Sequence, residues 1–230
     1  MRGTALRRWM AGPFGLACAL WLVFLGADSA RAGALVPALQ SVRVDGAPLV
    51  LSADVGLEGS NGSPAMTFLL STLRGALAAG GFAVSLGGAD AHAVSVRFQR
   101  FTDAPPPGGL PGGVAPFPRA GEEGYVLSVA ASTGGVRIVV ASDTEHGLWN
   151  GAMTLRQLLL DAAGVRETAV TPQLAFDYPD QPIRGASPAE LAFTTTDASG
   201  NFVVSAVQLA ALDALALVKM NFAIFPSRTL

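Results

Sequence analysis

Three short stretches of this sequence decide its fold: EGYVLSV at residues 123–129, VVASD at 139–143 and GLWNGAMTLRQLL at 147–159. The first two belong to valine-rich runs on either side of Ser132-Thr133-Gly134-Gly135, which predicts a β-hairpin. Ser142 and Glu145 have the spacing of a capping box, so a helix should follow the hairpin directly. The apolar face of that helix is predicted from residues at helical spacing: Leu148, Ala152, Leu155 and Leu159.

A second helix is predicted upstream of these stretches. Ser63 is a favourable N-cap, Pro64 suits the first helical position, and Gly80-Gly81 ends the pattern. Apolar runs at 82–86 and 93–98 predict strands after this helix. Before it, the runs at 42–44 and 49–51 flank Asp45-Gly46 and predict another hairpin. We therefore expect an α+β domain over residues 33–164, in which a mixed or antiparallel sheet carries two helices on one face.

The C-terminal part of the chain has a different pattern. Residues 165–182 contain three prolines and predict a linker. The strand-like step at 183–185, a helix from about 202 to 218 and an apolar run at 220–225 then follow. This strand, helix, strand order is typical of the opening of a parallel α/β unit. Between 105 and 118, ten of the fourteen residues are Pro or Gly, which predicts a surface loop.

The three stretches quoted first resemble the non-catalytic N-terminal domain, domain 2, of family 20 glycoside hydrolases, the β-N-acetylhexosaminidases. LVP at 35–37 followed by QSV at 40–42 is also similar to the start of that domain. The steps IRG at 183–185 and VKMN at 218–221 resemble the first two strands of the catalytic (β/α)8 barrel that follows it. The resemblance implies that residues 183–230 are the start of a barrel truncated early, because a complete barrel takes about 250 residues.

The resemblance also implies an activity for the parent protein. Terminal N-acetylhexosamine would be hydrolysed by a substrate-assisted, retaining mechanism, in which the substrate's own acetamido oxygen attacks the anomeric carbon and a glutamic acid protonates the leaving oxygen. In the family, the catalytic Asp-Glu pair lies around the fourth barrel strand. We therefore expect no catalytic residue in this chain and no hydrolysis by the chain alone. Which sugar and linkage the parent cleaves stays open, since related accessory domains precede other glycosidase barrels.

Arg184 is the one candidate site residue. The resemblance matches it to a first-strand arginine that binds substrate hydroxyls, and a guanidinium fork suits paired hydroxyls. The residues after it depart from the family pattern, because Pro188 would interrupt strand pairing and Glu190 is only adjacent to the expected acidic position. The alternative is an arginine that links two parts of the protein by pairing with a nearby acid.

Several other classes of site are excluded or disfavoured. The only histidines, His92 and His146, are far apart in sequence, so neither a metal nor another cofactor is predicted. A net charge of −2 argues against nucleic-acid binding. Asp177 and Asp180 flank Tyr178-Pro179, which favours turn and capping roles for both carboxylates. The expected partner is carbohydrate, bound through the full-length parent.

Residues 1–32 have the features of an export signal. Arg2, Arg7 and Arg8 precede an apolar segment, and Ala30-Arg31-Ala32 provides a cleavage site. Cleavage predicts a periplasmic or secreted bacterial protein without its only cysteine, Cys18; an uncleaved signal would instead anchor the chain in the membrane. The alternative to the glycosidase hypothesis is a stand-alone periplasmic carbohydrate-binding or interaction module.

Overall fold

A computed structural model describes residues 39–101, 123–178 and 204–220, together with the backbone of 185–186 and 222–223. All of these residues belong to one compact unit, 32–230. The helices are α1 (Pro64–Ala79), α2 (Glu145–Leu159) and α3 (Ala206–Leu217), with a 3-10 turn at Ala89–Ala91. The strands are β1 (Ser41–Val44), β2 (Leu49–Val50), β3 (Asp54–Gly59), β4 (Ala83–Leu86), β5 (Val94–Arg100), β6 (Tyr125–Ser132), β7 (Gly135–Ser142), β8 (Ala169–Val170), β9 (Gln173–Asp177), β10 (Gly185–Ala186) and β11 (Phe222–Ala223).

A seven-stranded mixed sheet, in the order β1-β9-β6-β7-β5-β3-β4, forms the centre of the described structure. One half is parallel, because β3 pairs with β4 and β5, and β5 pairs with β7. The other half is antiparallel and contains the predicted hairpin of β6 and β7, with Ser132 opposite Gly135. The sheet confirms the expected α+β class and its mixed strand directions.

Helices α1 and α2 cover one face of this sheet. Alternate residues of a strand point to the same face, and in β5 and β7 it is the alternate residues that join the core. Val94, Val96 and Phe98 lie in one buried cluster with side chains from both helices. Residues of the helices and of β7 in that cluster include Leu69, Leu73, Leu77, Leu155, Leu159, Val136, Ile138 and Val140. The expected placement of two helices on one face is therefore confirmed.

The opposite face of the sheet approaches the 3-10 turn closely. A Cβ at Gly56 in β3 would lie 2.8 Å from the Cα of Ala89, so this position requires a glycine. Beyond the turn, Arg97 pairs with Asp90 at 2.6 Å. His92 pairs with Asp54 at 2.8 Å. Near the 3-10 turn this face thus carries polar and charged groups, whereas in β6, β7 and β9 the same face has buried apolar residues, Val126, Val139 and Leu174.

The hairpin predicted from 42–44 and 49–51 is wrong. Strand β1 pairs with β9, with Ser41 opposite Phe176, and β2 pairs with β8, with Leu49 opposite Val170. Gly46 does adopt a positive φ of 115°, so the turn signal itself was correct. The chain turns there, but each flanking strand takes a partner from much later in the sequence, and this long-range pairing overrides the local hairpin preference.

The predicted capping box before α2 is also wrong. The N-cap is Thr144, whose side chain accepts the backbone N–H of Gly147. Ser142 is still part of β7, and its hydroxyl donates to the carbonyl oxygen of Gly124 at 2.6 Å. The Glu145 carboxylate accepts instead from the Ser63 hydroxyl at 2.8 Å. Tertiary partners therefore replace the local ones that the spacing suggested.

Two differences concern the extent of the sheet. Strand β3 lies between β4 and β5 and was not predicted, because its sequence DVGLEG contains two glycines and two acidic residues. The segment predicted as a linker, 165–182, contains β8 and β9, so the sheet extends to Asp177. Residues 179–182 lie outside the described residues, as do the predicted signal at 1–32 and the loop at 105–118.

The C-terminal elements have the predicted order of strand, helix and strand. Strand β10 pairs in parallel with β11, with Gly185 opposite Phe222, and α3 lies between them in sequence. A capping box starts α3, because Ser205 accepts from the backbone N–H of Gln208 while the Gln208 side chain accepts from that of Ser205. Among the described residues, no helix is long and apolar enough to cross a membrane.

Candidate functional site

A buried polar network joins the sheet to the turn after α3. It consists of Tyr125, Thr154, Asp177 and Lys219. The Lys219 ammonium donates to the Asp177 carboxylate at 2.6 Å and to the Tyr125 hydroxyl oxygen at 2.8 Å. The side chains of the ion pair are only 5% and 7% exposed. Buried charges of this kind are tolerated when they are paired and fully hydrogen-bonded.

The Tyr125 hydroxyl lies at the centre of this network. It donates to Asp177 at 3.0 Å, accepts from Lys219, and shares a hydrogen bond with the Thr154 hydroxyl. Burial, and then the nearby negative charge of Asp177, raise the pKa of Tyr125 well above its usual value of 10.0. The phenol is therefore kept protonated and acts as a hydrogen-bond donor to the carboxylate.

Local structure explains how the four side chains meet. Tyr125 and Asp177 are opposite each other in the β6–β9 register. Lys219 ends α3 in the left-handed conformation, with φ at 59°. Its N–H bonds to the carbonyl oxygen of Ala216, and the next N–H, that of Met220, bonds to Leu215. These two bonds form a Schellman motif with lysine at the position that usually holds glycine.

Two further contacts fix α3 against α2. The Arg156 guanidinium binds the Asp213 carboxylate through two nitrogens, at 2.8 and 2.9 Å. The Gln157 amide donates to the carbonyl oxygen of Leu217 at 2.8 Å. A bidentate arginine–carboxylate pair restricts orientation as well as distance. The segment around α3 is thus held by three polar contacts of different types.

Beside this network lies a cavity of about 470 Å³ between α1 and α2. Its polar lining comes from the start of α2 and from Glu123, two residues before β6, and its apolar lining from both helices and from Met220. The polar members are Glu123, Glu145, His146 and Asn150, and the larger apolar ones are Met66, Phe68, Leu69, Leu148, Trp149 and Met220.

The walls of the cavity are held in place by specific contacts. The Asn150 amide donates to the backbone oxygen of Glu123 at 3.2 Å and to its carboxylate at 3.4 Å. The Trp149 ring stacks on Phe68 with centroids 5.7 Å apart and planes 8° from parallel. Glu145 is oriented by the hydroxyl of Ser63, the residue that caps α1. The cavity is therefore shaped by both helix starts.

The residues singled out in the sequence are distributed over different parts of the molecule. Arg184 lies outside the described residues, so its proposed role stays a prediction. His92 pairs with Asp54 on the face of the sheet opposite the helices, and His146 lines the cavity. Asp177 belongs to β9 and to the buried ion pair rather than to a turn. Within the described residues, no group of three His, Cys, Asp or Glu side chains could hold a metal ion.

Lys219 is the important residue that sequence reasoning missed as a site. A signal was present: it is the only lysine in the chain, whereas the other fourteen basic residues are arginines. It also lies, with Asn221, in the short segment that interrupts the apolar runs of α3 and β11. A lysine inside a mostly apolar segment indicates a buried partner, but the sequence does not reveal that the partner is Asp177.

Comparison with known protein families gives a match over most of the described sheet. A sequence model of glycosyl hydrolase family 20, domain 2, matches residues 32–172. This range includes the β6–β7 hairpin and the two helices α1 and α2 that cover the sheet. None of the curated proteins searched matches the chain.

Solved structures of bacterial hexosaminidases have a similar fold. A Streptomyces plicatus β-hexosaminidase in complex with the product GlcNAc is 21% identical, with a TM-score of 0.59 over 86% of this chain and 35% of the other. A β-N-acetylhexosaminidase from Streptomyces coelicolor A3(2) is 23% identical, with a TM-score of 0.57 and the same coverage. An exo-β-N-acetylglucosaminidase from Vibrio harveyi, in complex with N-acetylglucosamine, is 18% identical. Its TM-score is 0.55, over 86% of this chain and 26% of the other. The chain thus spans about a third of the length of these proteins or less.

Proposed function

Because this chain belongs to glycosyl hydrolase family 20, whose domain 2 it contains, we propose that it is the N-terminal accessory part of an exported β-N-acetylhexosaminidase. In this proposal the sheet and its two helices form the accessory domain, and the elements from β10 to β11 are the first strand, helix and strand of the catalytic barrel. The domain's role is to hold those first barrel elements in a fixed position.

The buried Lys219–Asp177 pair is the observation that carries this role. A segment joined to the domain only by a linker would need no charged group buried against the sheet. Here, a lysine two residues after α3 pairs with a carboxylate at the end of β9, at 2.6 Å. Removing either partner would leave an unpaired buried charge, so the contact favours one arrangement of the two parts strongly over others.

The chemistry belongs to the rest of the parent protein. We propose that the parent cleaves terminal N-acetylhexosamine by the substrate-assisted, retaining route, with an Asp-Glu pair that this chain does not contain. The structural matches include hexosaminidases in complex with GlcNAc, which supports a carbohydrate substrate for the parent. Arg184, which precedes β10 in the sequence, is proposed to bind sugar hydroxyls. Residues 1–32 are proposed to direct export.

Hydrolysis assays test this proposal. The purified 230-residue chain is expected to give no turnover of a chromogenic N-acetylglucosaminide, whereas the product of a longer in-frame coding sequence with an Asp-Glu pair should hydrolyse it. Activity of the 230-residue chain itself would contradict the accessory role. In the longer protein, Lys219→Met should lower turnover, and the exposed variant Arg43→Met should not, because Arg43 only pairs with Asp45 at the surface.

A further inference from the structure

We infer that Asn61 is a modification site, at which the exposed Asn61-Gly62 sequence is converted to aspartate and isoaspartate by spontaneous deamidation. The chain contains a second Asn-Gly sequence, Asn150-Gly151. The same two residue types therefore occur in two different structural settings, and the two settings have opposite consequences for the reaction. The site is separate from the catalytic barrel, and its chemistry does not depend on the parent's activity.

The reaction needs only water as a co-reactant. The backbone nitrogen of Gly62 loses its proton and bonds to Cγ of Asn61, while the side-chain amide nitrogen takes up a proton and leaves as ammonia. The product of this step is a succinimide ring. Water then opens the ring at either carbonyl group, which gives aspartate or isoaspartate. Glycine favours the ring closure because it has no Cβ to obstruct the approach of its nitrogen.

The local structure at Asn61 suits this chemistry. Asn61 and Gly62 are exposed in the turn between β3 and α1. The backbone N–H of Ser63 donates to Oδ1 of Asn61 at 3.1 Å, which forms an Asx turn. Because this oxygen becomes negatively charged when the Gly62 nitrogen attacks, the same N–H stabilises the developing charge. Among the described residues, neither the attacking nitrogen of Gly62 nor the leaving nitrogen of Asn61 has a hydrogen-bond partner.

The setting of Asn150 opposes the reaction. Asn150 and Gly151 lie inside α2, and Asn150 is only 7% exposed. The amide nitrogen of Asn150, which would have to leave, donates to the backbone oxygen of Glu123 at 3.2 Å. Gly151 packs closely against Val140 and the Tyr125 ring, and its N–H belongs to the helical hydrogen-bond pattern. Ring closure at this site therefore requires local opening of the helix.

Modification of Asn61 would change the start of α1. Ser63 caps this helix by accepting the backbone N–H of Met66 at 3.1 Å, and its hydroxyl donates to Glu145 at 2.8 Å. Aspartate at position 61 keeps an oxygen that can accept the Ser63 N–H. Isoaspartate lengthens the main chain by one carbon atom, so the Asx turn loses its register. The isoaspartate product is therefore expected to be less stable than the original chain, whereas the aspartate product is not.

Ageing of the purified 230-residue chain tests the inference. The protein is incubated at pH 8, either folded or unfolded in urea, and peptide mapping by mass spectrometry follows the replacement of NH2 by OH in both Asn-Gly peptides. In the folded chain, Asn61 should be converted at least about tenfold faster than Asn150, because a buried helical site reacts only while the helix is open. In urea the two asparagines should be converted at similar rates.

Gly62→Ala is a matched control, because Gly62 does not have a positive φ and a Cβ there would have nothing within 4 Å. This variant should slow the conversion of Asn61 severalfold and leave the melting temperature of the fresh protein unchanged. After ageing, the melting temperature should fall for the parent chain but not for Gly62→Ala, and fresh Asn61→Asp should melt like the fresh parent.

Conversion of both asparagines at the same rate in the folded chain would overturn the inference, as would conversion of neither. Hydrolysis is not measured in this experiment. Its outcome therefore stands apart from the outcome for the accessory role.

Discussion

Lys219 combines two features that rarely occur together, a buried charge and a left-handed backbone. Glycine would adopt this conformation without steric cost, whereas a residue with a Cβ loses about 1 kcal/mol or more. Glycine would also remove the partner of Asp177. The lysine therefore adopts a strained backbone conformation and in return provides the counter-charge of Asp177.

Replacing Lys219 with Met should destabilise the chain by about 3–5 kcal/mol, because Asp177 would stay buried without its counter-charge. Urea denaturation followed by tryptophan fluorescence measures the change. Adding Asp177→Leu to Lys219→Met should recover most of the loss, since the double variant leaves no buried charge. The surface variant Arg43→Met should change stability by less than about 1 kcal/mol. Equal effects of Lys219→Met and Arg43→Met would refute the structural role of the buried pair.

Asp54 should make the fold sensitive to acid. Hydrogen bonds from His92, and then from the backbone N–H of Ala93, lower the pKa of Asp54 below its usual value of 3.8. A carboxyl group with a lower pKa in the folded state stabilises the fold above its unfolded pKa, and this contribution is lost as pH falls through the folded pKa. The melting temperature of Asp54→Asn should therefore be below that of the parent chain at pH 7, and the difference should shrink towards pH 3. A variant at an exposed site without a titratable group, Val50→Ser, is the control, and its difference from the parent chain should not shrink in this way.

At the scale of elements, glycines determine how closely α2 packs on the sheet. A Cβ at Gly147 would collide with the carbonyl oxygen of Gly124 and with the Ser142 hydroxyl. At Gly151 it would collide with Val140 and press on the Tyr125 ring. In α1, by contrast, a Cβ at Gly75 would have nothing within 4 Å. The two helices thus contain glycine for different reasons, although the sequence alone does not distinguish them.

Alanine at these positions should have opposite effects. Gly147→Ala should destabilise the chain by about 1–3 kcal/mol, because backbone atoms must move to make room. Gly75→Ala should stabilise it by about 0.5–1 kcal/mol, since alanine is the better helix former at an exposed position. Paired denaturation curves measure both changes. Destabilisation by both variants would show that α1 also needs its glycine.

The elements that sequence reasoning predicted correctly are those with local signals. Helix α1 begins after Ser63 and Pro64, and the β6–β7 hairpin turns at Thr133-Gly134, because neighbours in sequence determine both features. Strand β3 was not predicted because glycine has a low strand propensity. Gly56 is needed there because the 3-10 turn packs closely against it. The partner of β1 could not be inferred from the Asp45-Gly46 turn, since that partner lies more than a hundred residues later.

At the scale of the whole molecule, α3 has an apolar surface that the described residues do not cover. Ten of its twelve residues are apolar, and Val207 and Leu209 are 62% and 58% exposed. Of its two polar residues, Gln208 forms the capping box with Ser205 and Asp213 pairs with Arg156. Soluble proteins rarely expose contiguous apolar patches without a binding role.

The 230-residue chain should therefore bind a hydrophobic fluorescent dye through α3. Changing Val207 and Leu209 together to Ser should lower dye fluorescence while changing stability by less than about 0.5 kcal/mol, because these side chains are on the surface. Val50→Ser is the control, since Val50 is 83% exposed but isolated in a two-residue strand. If the control lowers the signal as much as the α3 variant, the patch is not the main dye site.

For the site as a whole, the sequence predicted the family but not the contacts. The stretches from 123 to 159 were sufficient to indicate domain 2, because they combine a hairpin and a helix in a specific order. The Lys219–Asp177 pair depends on residues 42 positions apart that meet only after the sheet has formed. The cavity depends similarly on Ser63 and Glu145, which come from different helix starts.

The pairing of β1 with β9 has a consequence for the time course of biosynthesis. Ser41 emerges from the ribosome early, but its partner Phe176 is among the last residues of the sheet to be made. The β1 edge therefore stays open during most of translation, and contacts between distant residues also form slowly. The export proposed above would require the polypeptide to remain unfolded until it has crossed the membrane, and a sheet that needs residue 176 to close its edge suits that requirement.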